Sequence, residues 1–228
     1  MIRSPFDNVI IPIKKNIYQI TQKMTNFSLL VREYSQIKEK NDKWKFLSAE
    51  NDQLKEKVRI LTEENNKYLI QLDSPLPATF KFIPAQVISL SKFMEIWSGT
   101  KNGVNSGMTV VDGNVYIGRI TKVAPYRSLV LMPYDKDSIV PAKTSRGTKG
   151  NVVGGNGTTI IMDKILQKEP LFLDDSIVTS GEGGYPPNLL IGKIAHIDTD
   201  DVSVYKQAQI EPTIEYGSEK LVFVINAI

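Results

Sequence analysis

The sequence predicts a mainly β protein with an N-terminal long α-helix: a parallel coiled coil followed by two tandem small β-barrel-like domains. Three observations carry this reading. All 15 glycines lie between Gly99 and Gly217, and no proline interrupts residues 13–74. Near residue 75 the apolar period changes from helical to strand-like, and the strand-rich part then repeats itself. The chain divides accordingly into a helix over 1–75, a first β-domain over 76–145 and a second over 146–228.

A long span free of both helix breakers is a strong helix signal. Ser4 is placed to cap its start, with Pro5 at the first helical position and Asp7 near the third. Pro12 is expected to bend or interrupt the first stretch. Trp44, Leu47, Leu54, Val58, Leu61, Tyr68 and Leu72 occupy alternating a and d places of one heptad frame. Asn51 and Asn65 fill the two remaining core places, both at a. An earlier frame runs through Ile13, Ile17, Ile20, Met24, Phe27, Val31 and Tyr34, and the short step from Tyr34 to Ile37 reads as a stammer. Asparagine at a fixes register in parallel two-stranded coils, so the expectation is an in-register homodimer. The competing reading, an amphipathic helix lying on its own globular domain, must cover a narrow stripe of roughly 90 Å. The attached domain is too small for that.

"LDSPLPATF" at 72–80 then ends the helix and reads as a short stiff linker. Beyond it come short β-rich runs, "IPAQVISL" and "FMEIW" first and "LVFVI" last, separated by turn residues every eight to twelve positions or so. That spacing belongs to a barrel or sandwich.

"GMTVVDG…VYIGRITKV" at 107–123 lines up with "DSIVTSGEGG…LLIGKIAHI" at 175–197. Val110 falls on Val178, Gly113 on Gly181, Ile117 on Ile191, Gly118 on Gly192 and Arg119 on Lys193. Upstream, "AQVI" at 85 aligns with "GNVV" at 150, and downstream Pro133 aligns with Pro212. The glycine-rich stretch with Gly181, Gly183 and Gly184 therefore occupies a hairpin turn, where glycine supplies positive φ. Gly118 and Gly192 sit inside strand patterns and are expected to mark a bulge or sharp bend. Whether "LVFVI" closes the second domain or pairs back onto the first is open at this level.

The same loop, with Ser180 beside it and His196 beyond, invites a hydrolase reading on a two-barrel scaffold. A triad needs a nucleophile, a base and an orienting acid. His196 is the only histidine, and it stands where the first copy has Lys122. Ser180 lies in "TSGEGG" and not in a nucleophile elbow. "GEGGYPPN" precedes no helix and has no lysine at the Walker spacing. "DTDD" at 198–201 lacks the glycine and distal glutamate of an EF-hand. No catalytic residue, metal site, cofactor or small-molecule substrate is expected.

The bulk composition narrows the partners. A formal charge of +3 gives no reason to expect nucleic acid. The absence of cysteine removes disulfides, thiolate metal sites and a cysteine nucleophile. No apolar run approaches the roughly 20 residues that cross a bilayer, and no signal-peptide pattern opens the chain. The sequence is then either cytosolic or preceded by a membrane segment outside it.

Taken together the residues resemble the MreC family of bacterial rod shape-determining proteins. "RSPFDNVIIPIKKNI" is similar to the segment after that family's membrane helix, and "ENDQLKEKVRILTEEN" to its coiled coil. "FIPAQVIS", "KNGVNSGMTVVDGNVYIGRITKV", "VTSGEGGYPPNLLIGKI" and "AQIEPTIEYGSEKLVFVI" resemble its β region in order and spacing. The resemblance covers almost the whole chain; the linker is shorter and the membrane helix is not in the sequence. It implies a single-pass protein of the cytoplasmic membrane whose coil and β-domains lie on the extracytoplasmic side. It further implies a scaffold without enzymatic activity or cofactor. Such a scaffold links the actin-like MreB and its membrane partner MreD to the peptidoglycan polymerase and the elongation penicillin-binding transpeptidase.

Overall fold

A computed structural model describes residues 7–156, 159–198 and 203–226, with side chains from residue 32 onward. The chain falls into two compact units, Met1–Glu63 and Glu64–Ile228. One helix, α1 (Asp7–Leu72), makes up the described part of the first unit, and its last turns belong to the second. The proposed cap at Ser4 and Pro5 lies outside the described residues. Contrary to expectation, the helix runs through Pro12 without a break. A proline there forfeits the one bond that would run to residue 8, and the turns on either side carry the helix past it. At the other end the Ser74 hydroxyl donates to the Gln71 carbonyl at 2.7 Å and closes the last turn ahead of Pro75. The linker is not a free spacer, because Leu76 and Phe80 pack against the apolar core.

Among the described residues twelve strands follow: β1 (Lys81–Leu90), β2 (Met94–Trp97), β3 (Thr109–Asp112), β4 (Val115–Val123), β5 (Ser128–Leu131), β6 (Ile139–Thr144), β7 (Lys149–Gly154), β8 (Ile160–Leu166), β9 (Ser176–Thr179), β10 (Leu190–Asp198), β11 (Tyr205–Pro212) and β12 (Leu221–Asn226). They close into two six-stranded barrels. The first runs β12-β1-β2-β5-β4-β3 and returns to β12; the second runs β6-β7-β8-β11-β10-β9 and returns to β6. Closure leaves neither barrel with an open edge. Among the described residues one parallel strand pairing, Leu190 with Val115, runs between them.

The strands do not divide at residue 145. β6 lies within 76–145 yet pairs with β7 and β9. β12 lies within 146–228 yet pairs with β1 and β3. The whole second barrel is thus inserted between β5 and β12 of the first. The two strands are counterparts: Ala85 faces Val222 and Gly150 faces Ala142, while Val110 faces Val224 and Ile177 faces Thr144. An alignment that follows chain order starts at Ala85 and Gly150 and so begins one strand too late to see this.

Register also moves two of the matched pairs. Gly118 faces Val110 and Gly192 faces Ile177, so the counterpart of Val178 is Val111 and not Val110. Arg119 faces Leu131 and Lys193 faces Glu211, so Pro212 corresponds to Met132 and not to Pro133. Matching Val110 with Val178 and Pro133 with Pro212 slips each strand by one residue, which the ladder pairing corrects. Both barrels skip register at the same places, around Ile117 and Ile191 and again around Thr121 and Ala195. Shared bulges turn the same corners in each barrel.

β12 is buried on both faces. Val222 and Val224 point into the first barrel with Met94, Ile96 and Val130. Leu221, Phe223 and Ile225 join the larger core that holds Ile177, Leu189 and Ile191 of the second.

Candidate interaction surfaces

Gly118 and Gly192 are held by packing and not by an unusual backbone. A Cβ at Gly118 would stand 2.4 Å from the Leu131 carbonyl oxygen, and one at Gly192 would stand 2.3 Å from that of Glu211. The neighbouring strand passes too close for any side chain. Gly113, Gly181, Gly183 and Gly184 are different. Their φ values of 60, 90, 64 and 76° lie in the left-handed region of tight turns.

The glycine-rich turn between β9 and β10 has a part that its sequence did not reveal. Arg119, on β4 of the first barrel, donates from Nε to the Gly107 carbonyl at 2.8 Å. Its guanidinium also donates to the Gly183 carbonyl at 3.2 Å and lies 4.3 Å over the Tyr185 ring. Tyr185 in turn donates its hydroxyl to the Ile139 carbonyl at 3.1 Å and packs edge-on to Tyr116, 6.0 Å between centroids. The turn therefore latches one barrel to the other. Tyr216 and Tyr134 extend this seam, 5.6 Å apart and packed against both cores. Burial pushes the Tyr116 and Tyr216 phenols well above the usual tyrosine range, so both stay protonated and Arg119 is the charged group of the latch.

The last turns of α1 are fixed to the first barrel at the turn that carries Gly113. Gln71, buried, accepts from the Gly113 N–H at 2.9 Å and donates to its carbonyl at 3.1 Å. Lys67 pairs with Asp112 at 2.6 Å. Tyr68 meets Phe223 edge-on at 5.6 Å, so this one member of the expected seam contacts its own barrel. Lys67 and Gln71 fall outside the heptad core places. Nothing local in the sequence marks them.

The other seam residues with described side chains are open. Trp44, Leu47, Asn51, Leu54, Val58, Leu61, Asn65 and Leu72 are all exposed, with Trp44 at 72% and Val58 at 63%. Arg59 pairs with Glu56 and Glu63 beside the stripe. An apolar row of this length is left uncovered within the chain.

The residues of the hydrolase reading are engaged in structural contacts. The Ser180 hydroxyl accepts from the Glu182 N–H at 3.3 Å, a turn-closing bond, and its own N–H donates to the Pro141 carbonyl. His196 lies exposed on β10 with its Nε2 3.2 Å from Asp198. Among the described residues no group of His, Cys, Asp or Glu is placed to hold a metal ion. No described helix is long and apolar enough to cross a membrane.

Residues 84–226 match the family described as rod shape-determining protein MreC, barrel core. The cell shape-determining protein MreC of Escherichia coli K12 is 28% identical over 159 residues, which are 66% of this chain and 43% of that one. The chain spans less than half the length of the curated relatives it matches. A solved MreC structure superposes with a TM-score of 0.64 at 20% identity, over 73% of this chain and 99% of that one. The major periplasmic domain of the cell shape-determining filament MreC does so at 0.58, with 14% identity over 65% and 97%. Helicobacter pylori MreC, solved in complex with penicillin-binding protein PBP2, does so at 0.55, with 15% identity over 65% and 98%.

Proposed function

Because the chain belongs to the MreC family of rod shape-determining proteins, we propose that it is a non-catalytic scaffold of the bacterial cell-elongation machinery. The paired, edge-free barrels over residues 84–226 are the observation that carries this reading. The barrels bind a penicillin-binding transpeptidase, as the H. pylori relative binds PBP2, and the helix joins two copies so that weak contacts act together. The scaffold works on the extracytoplasmic side of the cytoplasmic membrane, held there by a single upstream span, with MreD and MreB as further partners. The hydrolase alternative has no observation in its favour, since Ser180 and His196 each serve local turn and strand contacts.

The test is rescue of rod shape in cells depleted of their own MreC, by this chain fused behind a membrane helix. Binding of its barrels to the cognate transpeptidase is measured in parallel. Rescue that survives Ser180→Ala and His196→Ala supports the scaffold. Loss of rescue in both variants, with expression unchanged, overturns it.

Self-association has its own test. A cysteine placed at Ile17 should cross-link efficiently in a parallel, in-register dimer. Asn51→Leu with Asn65→Leu should raise the coil's melting temperature while loosening its oligomer state, because a paired buried amide gives specificity at the expense of stability. Leu54→Asp with Leu61→Asp should abolish dimers. A monomeric wild-type chain at micromolar concentration sinks the two-copy mechanism.

A further inference from the structure

The duplicated barrels carry a duplicated cleft, and the two copies have opposite charge. In the first barrel a cleft of about 290 Å³ opens beside the β4–β5 hairpin, lined by Glu95, Lys122, Val123, Ala124, Arg127 and Leu129 among others. In the second a cleft of about 340 Å³ opens beside the β10–β11 hairpin, lined by Asp163, Asp198, Ser203, Tyr205 and Gln207. Strand pairing makes these one location. Ser128 faces both Ile96 and Val123, as Ala208 faces both Met162 and Ile197. Trp97 therefore corresponds to Asp163, Arg127 to Gln207 and Ala124 to Asp198. Gln207 donates to Asp163 at 3.1 Å in the second copy, and at the same site in the first the Arg127 guanidinium lies 5.2 Å over the Trp97 ring.

Because the fold accepts an acidic lining at this place, the basic lining of the first copy is not imposed by the barrel. Its one carboxylate, Glu95, is already engaged by Arg127 at 3.2 Å and by the Ser89 hydroxyl at 3.4 Å. Lys122 is exposed and makes no described contact that offsets its charge. Trp97 and Tyr126 stand exposed beside them, at 54% and 58%. Tryptophan, tyrosine and arginine are the side chains that dominate protein-binding hot spots, and an indole stacked under a guanidinium loses little freedom when it is covered.

We propose that the cleft between Glu95, Lys122 and Arg127 on the first barrel is a docking site for an acidic, partly apolar peptide segment of a partner protein. Its floor of Val123, Ala124 and Leu129 takes apolar side chains, and its two cations, Lys122 and Arg127, take carboxylates. A long polyanion is a poor fit, since the charges are few and confined to one hairpin. The inference deepens the scaffold reading and rests on it in taking the partner to be a protein. Peptide binding and rod-shape rescue are scored separately, so the failure of one is distinguishable from the failure of the other.

The chain has two tryptophans, so the full-length Trp44→Phe variant leaves Trp97 as the only indole reporter. The probe is a synthetic peptide of repeated Glu-Asp-Leu triplets. Saturable change in Trp97 fluorescence is expected, weakened at least about tenfold by Lys122→Glu and by Arg127→Glu and unchanged by Asp163→Asn in the other cleft. Lys122→Glu alters an exposed side chain with no described partner, so it tests the cleft even where Arg127→Glu disturbs the fold. Undiminished binding by Lys122→Glu, an equal response to a Lys-Lys-Leu peptide, or a response only to phosphatidylglycerol vesicles would overturn the proposal.

Discussion

The two barrels share strand order, bulge positions and a glycine at the same close approach, yet only the second is continuous in the chain. Its six strands run in sequence from Ile139 to Pro212, while the first takes β1 to β5 from residues 81–131 and its last strand from 221–226. The difference shows that ladder geometry, and not chain order, defines a barrel. It also gives β12 two duties. It closes the first barrel with Val222 and Val224, and it covers the second with Leu221, Phe223 and Ile225. A contact made by residues so far apart in sequence forms late, because the closing loop must be ordered first.

Ending the chain at Lys220 is the harshest way to break this comparison. It should strip slow hydrogen exchange from β1 to β5 while β6 to β11 keep their mutual pairing at a lower melting temperature, since five buried residues and two ladders are lost. Equal loss of protection in both barrels would mean that they are one cooperative unit; retained protection in the first would mean that β12 does not close it.

The next test sharpens the equivalence. Gly118→Val and Gly192→Val each force a side chain onto a neighbouring carbonyl and should each cost more than about 3 kcal/mol by urea denaturation. A silent substitution at either place would break the match between the two bends.

A smaller effect probes the latch. Arg119→Ala removes two hydrogen bonds to backbone carbonyls and a cation–π contact and should destabilise by about 1–2 kcal/mol. Arg119→Lys should not restore it, because an ammonium cannot reach two carbonyls and cover a ring as a flat guanidinium does. A fully restored lysine variant would reduce the latch to simple charge.

Much of this is legible in the sequence. Absence of glycine and proline dictates a long helix because nothing in residues 13–74 forbids one. The strand runs, the turn glycines and the repeat of "IGRI" with "IGKI" were legible for a similar reason: each is local and set by backbone sterics. What escaped were pairings between distant segments. Arg119 is legible only as the counterpart of Lys193, and nothing in the pattern joins Gln71 to Gly113 or Trp97 to Arg127.

The sequence by itself determined a glycine-free helix, a set of short strands with a twofold repeat, and a membership that follows from their order. Only the tertiary structure decided that "LVFVI" completes the first barrel and that the glycine-rich turn holds the barrels together. It also decided that two matched hairpins bear opposite charge. Local conformation is set by neighbours in the chain, which a sequence displays directly. Closure of a barrel is set by which edges remain unpaired once every other strand is in place, and that is a property of the assembled sheet.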